Sequence, residues 1–164
     1  MSYLILGIII FGADQLTKVL LFGKEMSLIG DFLWLKRAGL NTGAAWGSFD
    51  GGRWIFVAVS VVIAGLIVYL MFSKKHFKSR FFKLSLGIML GGLLGNLFDR
   101  IVLGGVRDFL AFNFFDFPVF NVADIAITVA TIMLIVYIIF FYGKDEARLK
   151  TKGETDDGKD NNCK

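Results

Sequence analysis

Four stretches of the chain are apolar over the distance a helix needs to cross a lipid bilayer, yet three of them carry charges inside. A helix rising 1.5 Å per residue needs roughly 20 mostly apolar residues to cover about 30 Å of hydrocarbon. The qualifying stretches run from about residue 3 to 22, 54 to 72, 81 to 102 and 119 to 142. The second is free of charge, whereas the first holds Asp14 and Lys18, the third Lys83, Asp99 and Arg100, and the fourth Asp124. With 55% hydrophobic residues in 164, too little polar surface is left to cover a water-exposed globule. The expected fold class is therefore an α-helical integral membrane protein with four transmembrane helices in one domain, residues 1–142.

The connector between the second and third stretches carries Lys74, Lys75, Lys78 and Arg80, followed by Lys83, and no acidic residue. Basic loops stay on the cytoplasmic side, which puts both termini in the cytoplasm and residues 23–53 and 103–118 outside. The first stretch lacks the basic start and small-residue cleavage site of a secretory signal. Within the first outer segment, Asp31-Phe32-Leu33-Trp34-Leu35-Lys36 suggests a short strand at the lipid surface. The small residues of Asn41-Thr42-Gly43-Ala44-Ala45-Trp46-Gly47 and of Gly51-Gly52 then suggest a mobile cover. Residues 143–164 hold six basic and six acidic residues with little apolar content, so a disordered cytoplasmic tail is expected. Cys163 stands alone and cannot form an internal disulfide. His76 reads as solvated within the basic connector, no metal-ligand cluster is evident, and the charge distribution speaks against nucleic-acid binding.

A charge at the bilayer centre costs at least ~2.5–3.5 kcal/mol, so each one needs a partner or a task. Asp14 and Lys18 stand one helical turn apart and can pair. Gly87, Gly91 and Gly95 make a smooth helix face for close packing. Asn96 shares a side with Asp99 and Arg100, and Asn121 shares one with Asp124 and Thr128. Asp108 lies in a short segment before the fourth stretch, so it and Asp124 can meet at one membrane boundary. Carboxylates sharing a site resist double ionisation; one can keep a proton and polarise a carbonyl while the other draws a proton from water. The same residues could instead line a path for protons or cations, as in a small transporter. A non-enzymatic scaffold with glycine-lined docking faces is a further reading.

The order of the short motifs bears on that choice. Asp14-Gln15-x-Thr17-Lys18, Asn41-x-Gly43-Ala44-Ala45-Trp46, Gly95-Asn96-x-x-Asp99-Arg100, Val106-x-Asp108-Phe109 and Phe120-Asn121-x-Ala123-Asp124 together resemble the bacterial lipoprotein signal peptidase family, or signal peptidase II. The resemblance spans nearly everything except the tail. It implies an aspartic endopeptidase of the bacterial plasma membrane that cleaves lipidated prolipoproteins before the diacylglyceryl-modified cysteine. The family's catalytic aspartates fall on Asp108 and Asp124. Its other motif residues fall on Asp14, Lys18, Asn41, Gly43, Asn96, Asp99, Arg100, Asn121 and Ala123, as substrate-binding or site-supporting groups. Asp99, next to Arg100, is expected in an ion-paired supporting role.

The resemblance further implies a small strand-containing extracytoplasmic cradle, catalysis by water without cofactor or metal, contact with membrane lipids, and inhibition by globomycin-type cyclic peptides. Two positions depart from the family pattern. Leu40 precedes the Asn-x-Gly motif where many members have a polar or aromatic residue. Arg107 directly precedes Asp108, but neighbours in an extended segment point apart, so little help for Asp108 is expected from it.

Overall fold

A computed structural model of the chain describes residues 2–43, 52–73 and 79–143. The expectations for Ala44, Ala45, Trp46, Gly47 and Gly51 of the cover, for His76 and the connector lysines 74, 75 and 78, and for the tail with Cys163 lie outside these residues.

The described residues contain four helices: α1 (Ser2–Leu21), α2 (Arg53–Phe72), α3 (Arg80–Val102) and α4 (Val122–Phe140). Each is long and apolar enough to cross a membrane. The chain is a multi-pass membrane protein, as the apolar stretches implied. Of the four, α3 is the least apolar and by far the most buried, and it packs against the other three. A central helix is shielded from lipid by its neighbours, so it can carry the glycines, Asn96 and Asp99 that a lipid-facing helix could not. The outer helices turn Ile8, Val19, Val62 and Ile138 outward, all largely exposed. Residues of this kind meet hydrocarbon rather than water.

Close packing of α1 on α3 depends on missing side chains. A Cβ at Gly91 would lie 2.5 Å from the Gly7 carbonyl oxygen and 2.9 Å from the Ile10 Cβ. Small residues let two helix backbones approach where lipid supplies no hydrophobic drive for association. At the opposite end from the strands, Ile67, Met71, Phe82, Leu86, Leu90 and Tyr137 fill the core.

Among the described residues, five short strands sit at one end of the bundle: β1 (Met26–Ile29), β2 (Leu33–Leu35), β3 (Leu40–Asn41), β4 (Val106–Arg107) and β5 (Leu110–Phe112). They form an antiparallel sheet of order β1-β2-β5 and a separate β3-β4 pair. The strand expected over 31–36 shrinks to β2, because the chain is still reversing through Gly30, whose φ is +46°. The remaining strands run two to four residues, too short for an alternating pattern to register. Leu35, Phe109 and Leu110 are buried beneath the strands against Leu21, Phe120 and Val122, fastening the sheet to the bundle. The fourth helix begins at Val122 rather than near 119. Phe120 instead bridges Leu110, each backbone N–H donating to the other's carbonyl at 2.8 Å, which holds it extended.

Replacing Gly91 with leucine forces α1 and α3 apart, and we expect a loss of about 1–3 kcal/mol, the usual cost of overpacking. Gly65→Ala is the control, since nothing lies within 4 Å of a Cβ there. Thermal unfolding in detergent should show a lowered midpoint for the first substitution and no loss for the second.

Candidate active site

The polar residues buried in three spans converge at the strand-bearing end. Asp14 and Lys18 lie on one face of α1, both wholly buried, with Lys18 Nζ 2.8 Å from Asp14 Oδ2. Lys18 also reaches Asp99 Oδ2 of α3 at 3.4 Å and donates to Asn96 Oδ1 at 2.9 Å. The other Asp14 oxygen accepts the Ala123 N–H at 2.9 Å. Asp14 therefore joins α1 to the first turn of α4, and an N–H that the helix itself cannot satisfy finds a partner within the protein.

The first turn of α4 is closed by a capping box. The Asn121 side chain accepts the Asp124 N–H at 3.0 Å, and Asp124 Oδ2 accepts the Asn121 N–H at 3.1 Å. Asp124 Oδ1 accepts from Asn96 Nδ2 at 2.8 Å. Asp108, between β4 and β5, accepts from Asn121 Nδ2 at 2.6 Å on one oxygen and from Asn41 Nδ2 at 2.9 Å on the other. Asn41 is in turn oriented by the Gly43 N–H, which donates to its Oδ1 at 3.1 Å. Three asparagines thus aim their amides at the two carboxylates, each amide fixed by another bond. Asn121 touches both.

Asp108 and Asp124 line one cavity of about 450 Å³. Its polar side is completed by Asn41, Gly43, Asn96 and Arg100; Phe112, Phe117, Pro118 and Phe120 form one apolar wall, and Ile125, Thr128 and Val129 of α4 another. The Arg100 guanidinium lies over the Phe56 ring at 5.2 Å, and among the described residues its buried Nε has no hydrogen-bond partner. Burial pushes the Asp108 carboxyl up to about 6, helped by the negative charge of Asp124 and opposed by the Asn41 and Asn121 bonds and by Lys18.

All eleven residues singled out from the sequence gather at this end, yet not all touch the cavity. Asp14, Lys18, Asp99, Asn121 and Ala123 lie behind it. The ion partners of Asp99 are Lys18 and Arg107, not the adjacent Arg100. Arg107 points away from Asp108, as extended neighbours should, and Leu40 pairs with it across β3-β4. Gln15, given no role in the sequence reading beyond its place in a motif, accepts from Arg107 Nη2 at 2.7 Å and donates to the Gly95 carbonyl at 3.2 Å. The available signal was an amide beside a charge inside an apolar span. The aromatic wall was missed too, since phenylalanines in a membrane protein do not stand out.

The sequence matches the family described as signal peptidase (SPase) II over residues 6–140. The chain belongs to that family. Among similar proteins, the lipoprotein signal peptidase of Shouchella clausii is 37% identical over 153 residues, 90% of this chain and 98% of that one. Its counterpart from Lactobacillus johnsonii is 36% identical over 151 residues, 87% of this chain and 95% of its own. A bacterial membrane enzyme solved by the in meso method at 2.3 Å superposes with a TM-score of 0.76 at 30% identity, covering 84% of this chain and 87% of that one. A second, at 1.9 Å, gives 0.75 at 29%, covering 85% and 94%. As a signal peptidase II the chain is a membrane protease.

Two consequences can be measured. Lys18→Met leaves Asp14 and Asp99 buried with their shared cation gone, and we expect a loss of about 3–5 kcal/mol in unfolding experiments. The second concerns pH. The folded Asp108 carboxyl takes up its proton near pH 6, whereas the unfolded chain does so only near the ordinary 3.8. Folding is therefore favoured progressively as pH falls from about 6 to about 4. Wild-type thermal midpoints should rise relative to Asp108→Asn between pH 7.5 and 5, and a constant difference would contradict the shift.

Proposed function

We propose that this protein is an aspartic endopeptidase that removes signal peptides from lipidated prolipoproteins, hydrolysing the bond before the diacylglyceryl-modified cysteine with Asp108, Asp124 and one water. The observation that carries this reading is that both carboxylates line the same cavity and hydrogen-bond to the same residue, Asn121. The lipoprotein signal peptidases to which the chain is similar carry the substrate class in their name.

The charge balance of the site fits shared-proton chemistry. Four carboxylates, Asp14, Asp99, Asp108 and Asp124, gather with three cations, Lys18, Arg100 and Arg107. Full ionisation leaves one negative charge unbalanced. A single proton held between Asp108 and Asp124 removes it, and the pair rather than either residue owns that proton. In the forward step the ionised carboxylate withdraws a proton from water as its oxygen attacks the scissile carbonyl, while the protonated carboxylate donates to the carbonyl oxygen. Collapse of the tetrahedral species breaks the C–N bond, and the departing amine takes a proton back from the pair. The water oxygen ends in the new carboxylate of the signal peptide. No acyl-enzyme forms.

The cavity's mixed lining suits a substrate that is part peptide and part lipid. Asn41, Asn96 and Arg100 offer polar contacts to the peptide backbone, and the Phe112, Phe117, Phe120 and Val129 walls accept apolar groups. The signal helix lies among the spans, the acyl chains stay in lipid, and the cavity opens at the outer membrane boundary with both termini in the cytoplasm. Globomycin-type cyclic peptides occupy the substrate position.

Cleavage of a synthetic diacylglyceryl-cysteine precursor by purified protein tests the reading. Asp108→Asn and Asp124→Asn should each lower kcat by about 10²–10⁴-fold, the usual share of positioned acid–base groups. Wild-type rates from either folded variant would refute it. A chelator should leave cleavage unchanged, and loss of activity that an added divalent metal restores would overturn the water-and-dyad chemistry.

A further inference from the structure

Arg107 stands beside Asp108 in sequence but does its bonding elsewhere. Its Nη2 donates to Asp99 Oδ1 at 2.7 Å, its Nε to Asp99 Oδ2 at 3.2 Å, and its backbone N–H to the same Oδ2 at 3.0 Å. One carboxylate on α3 thus holds both the side chain and the main chain of a single strand residue. Nη2 also donates to Gln15 Oε1 of α1, and Gln15 Nε2 returns to Asp14 Oδ2 at 3.1 Å. Asp99 is wholly buried and the Arg107 side chain is 13% exposed, so water competes little for these bonds. The forked guanidinium matches a carboxylate geometrically in a way that a lysine ammonium cannot.

The position of β4 in the chain gives the clamp its meaning. The strand has two residues, pairs among the described residues with two-residue β3 alone, and follows Gly104, whose φ of +89° makes a reversal at the end of α3. Two ladder residues cannot fix a strand's height against a bundle by themselves. Asp124, by contrast, is held within the first turn of α4 by its capping box. On the far side of Asp108, Phe109 is held by backbone bonds to Phe120 and Lys36 at 3.1 and 2.9 Å, so the flank that the ladder leaves weakly fixed is the β4 side, where Arg107 stands.

We propose that Arg107 is a positioning residue for Asp108: by gripping Asp99 through side chain and main chain together, it fixes where β4 delivers the next residue's carboxylate relative to Asp124. The proposal rests on the reading of Asp108 and Asp124 as the reacting pair. Arg107 does not line the cavity, and its guanidinium is committed to Asp99 and Gln15. It acts through backbone placement. Misplacing a reacting group by about 1 Å can cost on the order of 10²-fold in rate, so loss of the clamp should appear in kcat and leave substrate binding intact.

The test compares wild type, Arg107→Gln, Arg107→Lys, Gln15→Met, Asp108→Asn and Asp124→Asn on the diacylglyceryl-cysteine precursor, with kcat and KM determined across pH and folded protein counted by thermal unfolding. Both Arg107 variants should lose about 10- to 100-fold in kcat per folded molecule, with KM within about twofold and an unmoved pH profile. Gln15→Met should lose less, in kcat alone. Unchanged kcat in folded Arg107→Gln would overturn the proposal, showing Arg107 to be merely structural. Full rescue by lysine together with a displaced pH profile in the glutamine variant would also overturn it, since charge rather than placement would then be the cause. Should Arg107→Gln not fold, Arg107→Lys and Gln15→Met decide by the same kcat criterion. Inactive aspartate variants beside normal Arg107 variants would sink the clamp alone, whereas active aspartate variants would sink the underlying reading and the clamp with it.

Discussion

The structure depends on burying a lysine ammonium in an apolar bundle without leaving it unpaired. Lys18 is wholly buried, and two carboxylates and an amide oxygen surround it. Removing such a charge from water costs several kcal/mol, which only near-ideal geometry offsets. Its partners Asp14, Asp99 and Asn96 come from α1 and α3, so the helices must meet at one register for the charge to be tolerated. The glycine row on α3 makes that meeting sterically possible. Asp14 extends the requirement to α4 through the Ala123 N–H. One buried cation thereby sets three helices relative to one another.

The site is built outward from this knot in layers. Behind the cavity lie ionised pairs that compensate one another, and at its edge lie asparagines that neither gain nor lose charge. Facing the cavity are the two aspartates. Neutral amides suit the intermediate layer because they orient carboxylates without neutralising them. The high carboxyl of Asp108 reflects this placement: burial outweighs two amide hydrogen bonds, and the nearby Asp124 adds to it.

Much of this was readable from residue order. The four helices follow from the length of the apolar stretches, and the pairing of Asp14 with Lys18 follows from one-turn spacing. A close helix contact on α3 follows from glycines at four-residue intervals, whereas its partner α1 was shown only by the structure. The strands were largely illegible, since segments of two to four residues carry no periodicity, and the one expected strand came out shorter because a positive-φ glycine delays its start. The start of α4 was misjudged for a related reason. Apolar character continues through residues 119–121, but pairing of Phe120 with Leu110 and the Asn121 cap keep those residues out of the helix.

By itself the sequence determined which segments cross the membrane and which ionisable groups had to find partners there, because both follow from the cost of exposing polar groups to hydrocarbon. The tertiary structure decided which partners they found. Asp99 chose Lys18 and Arg107 over its neighbour Arg100, Gln15 joined that group, and Asn121 came to bridge Asp108 and Asp124. Apart from the Asn121–Asp124 cap, these contacts join different elements of the fold, and their geometry is fixed by how closely α1, α3 and α4 pack, a property no single helix carries.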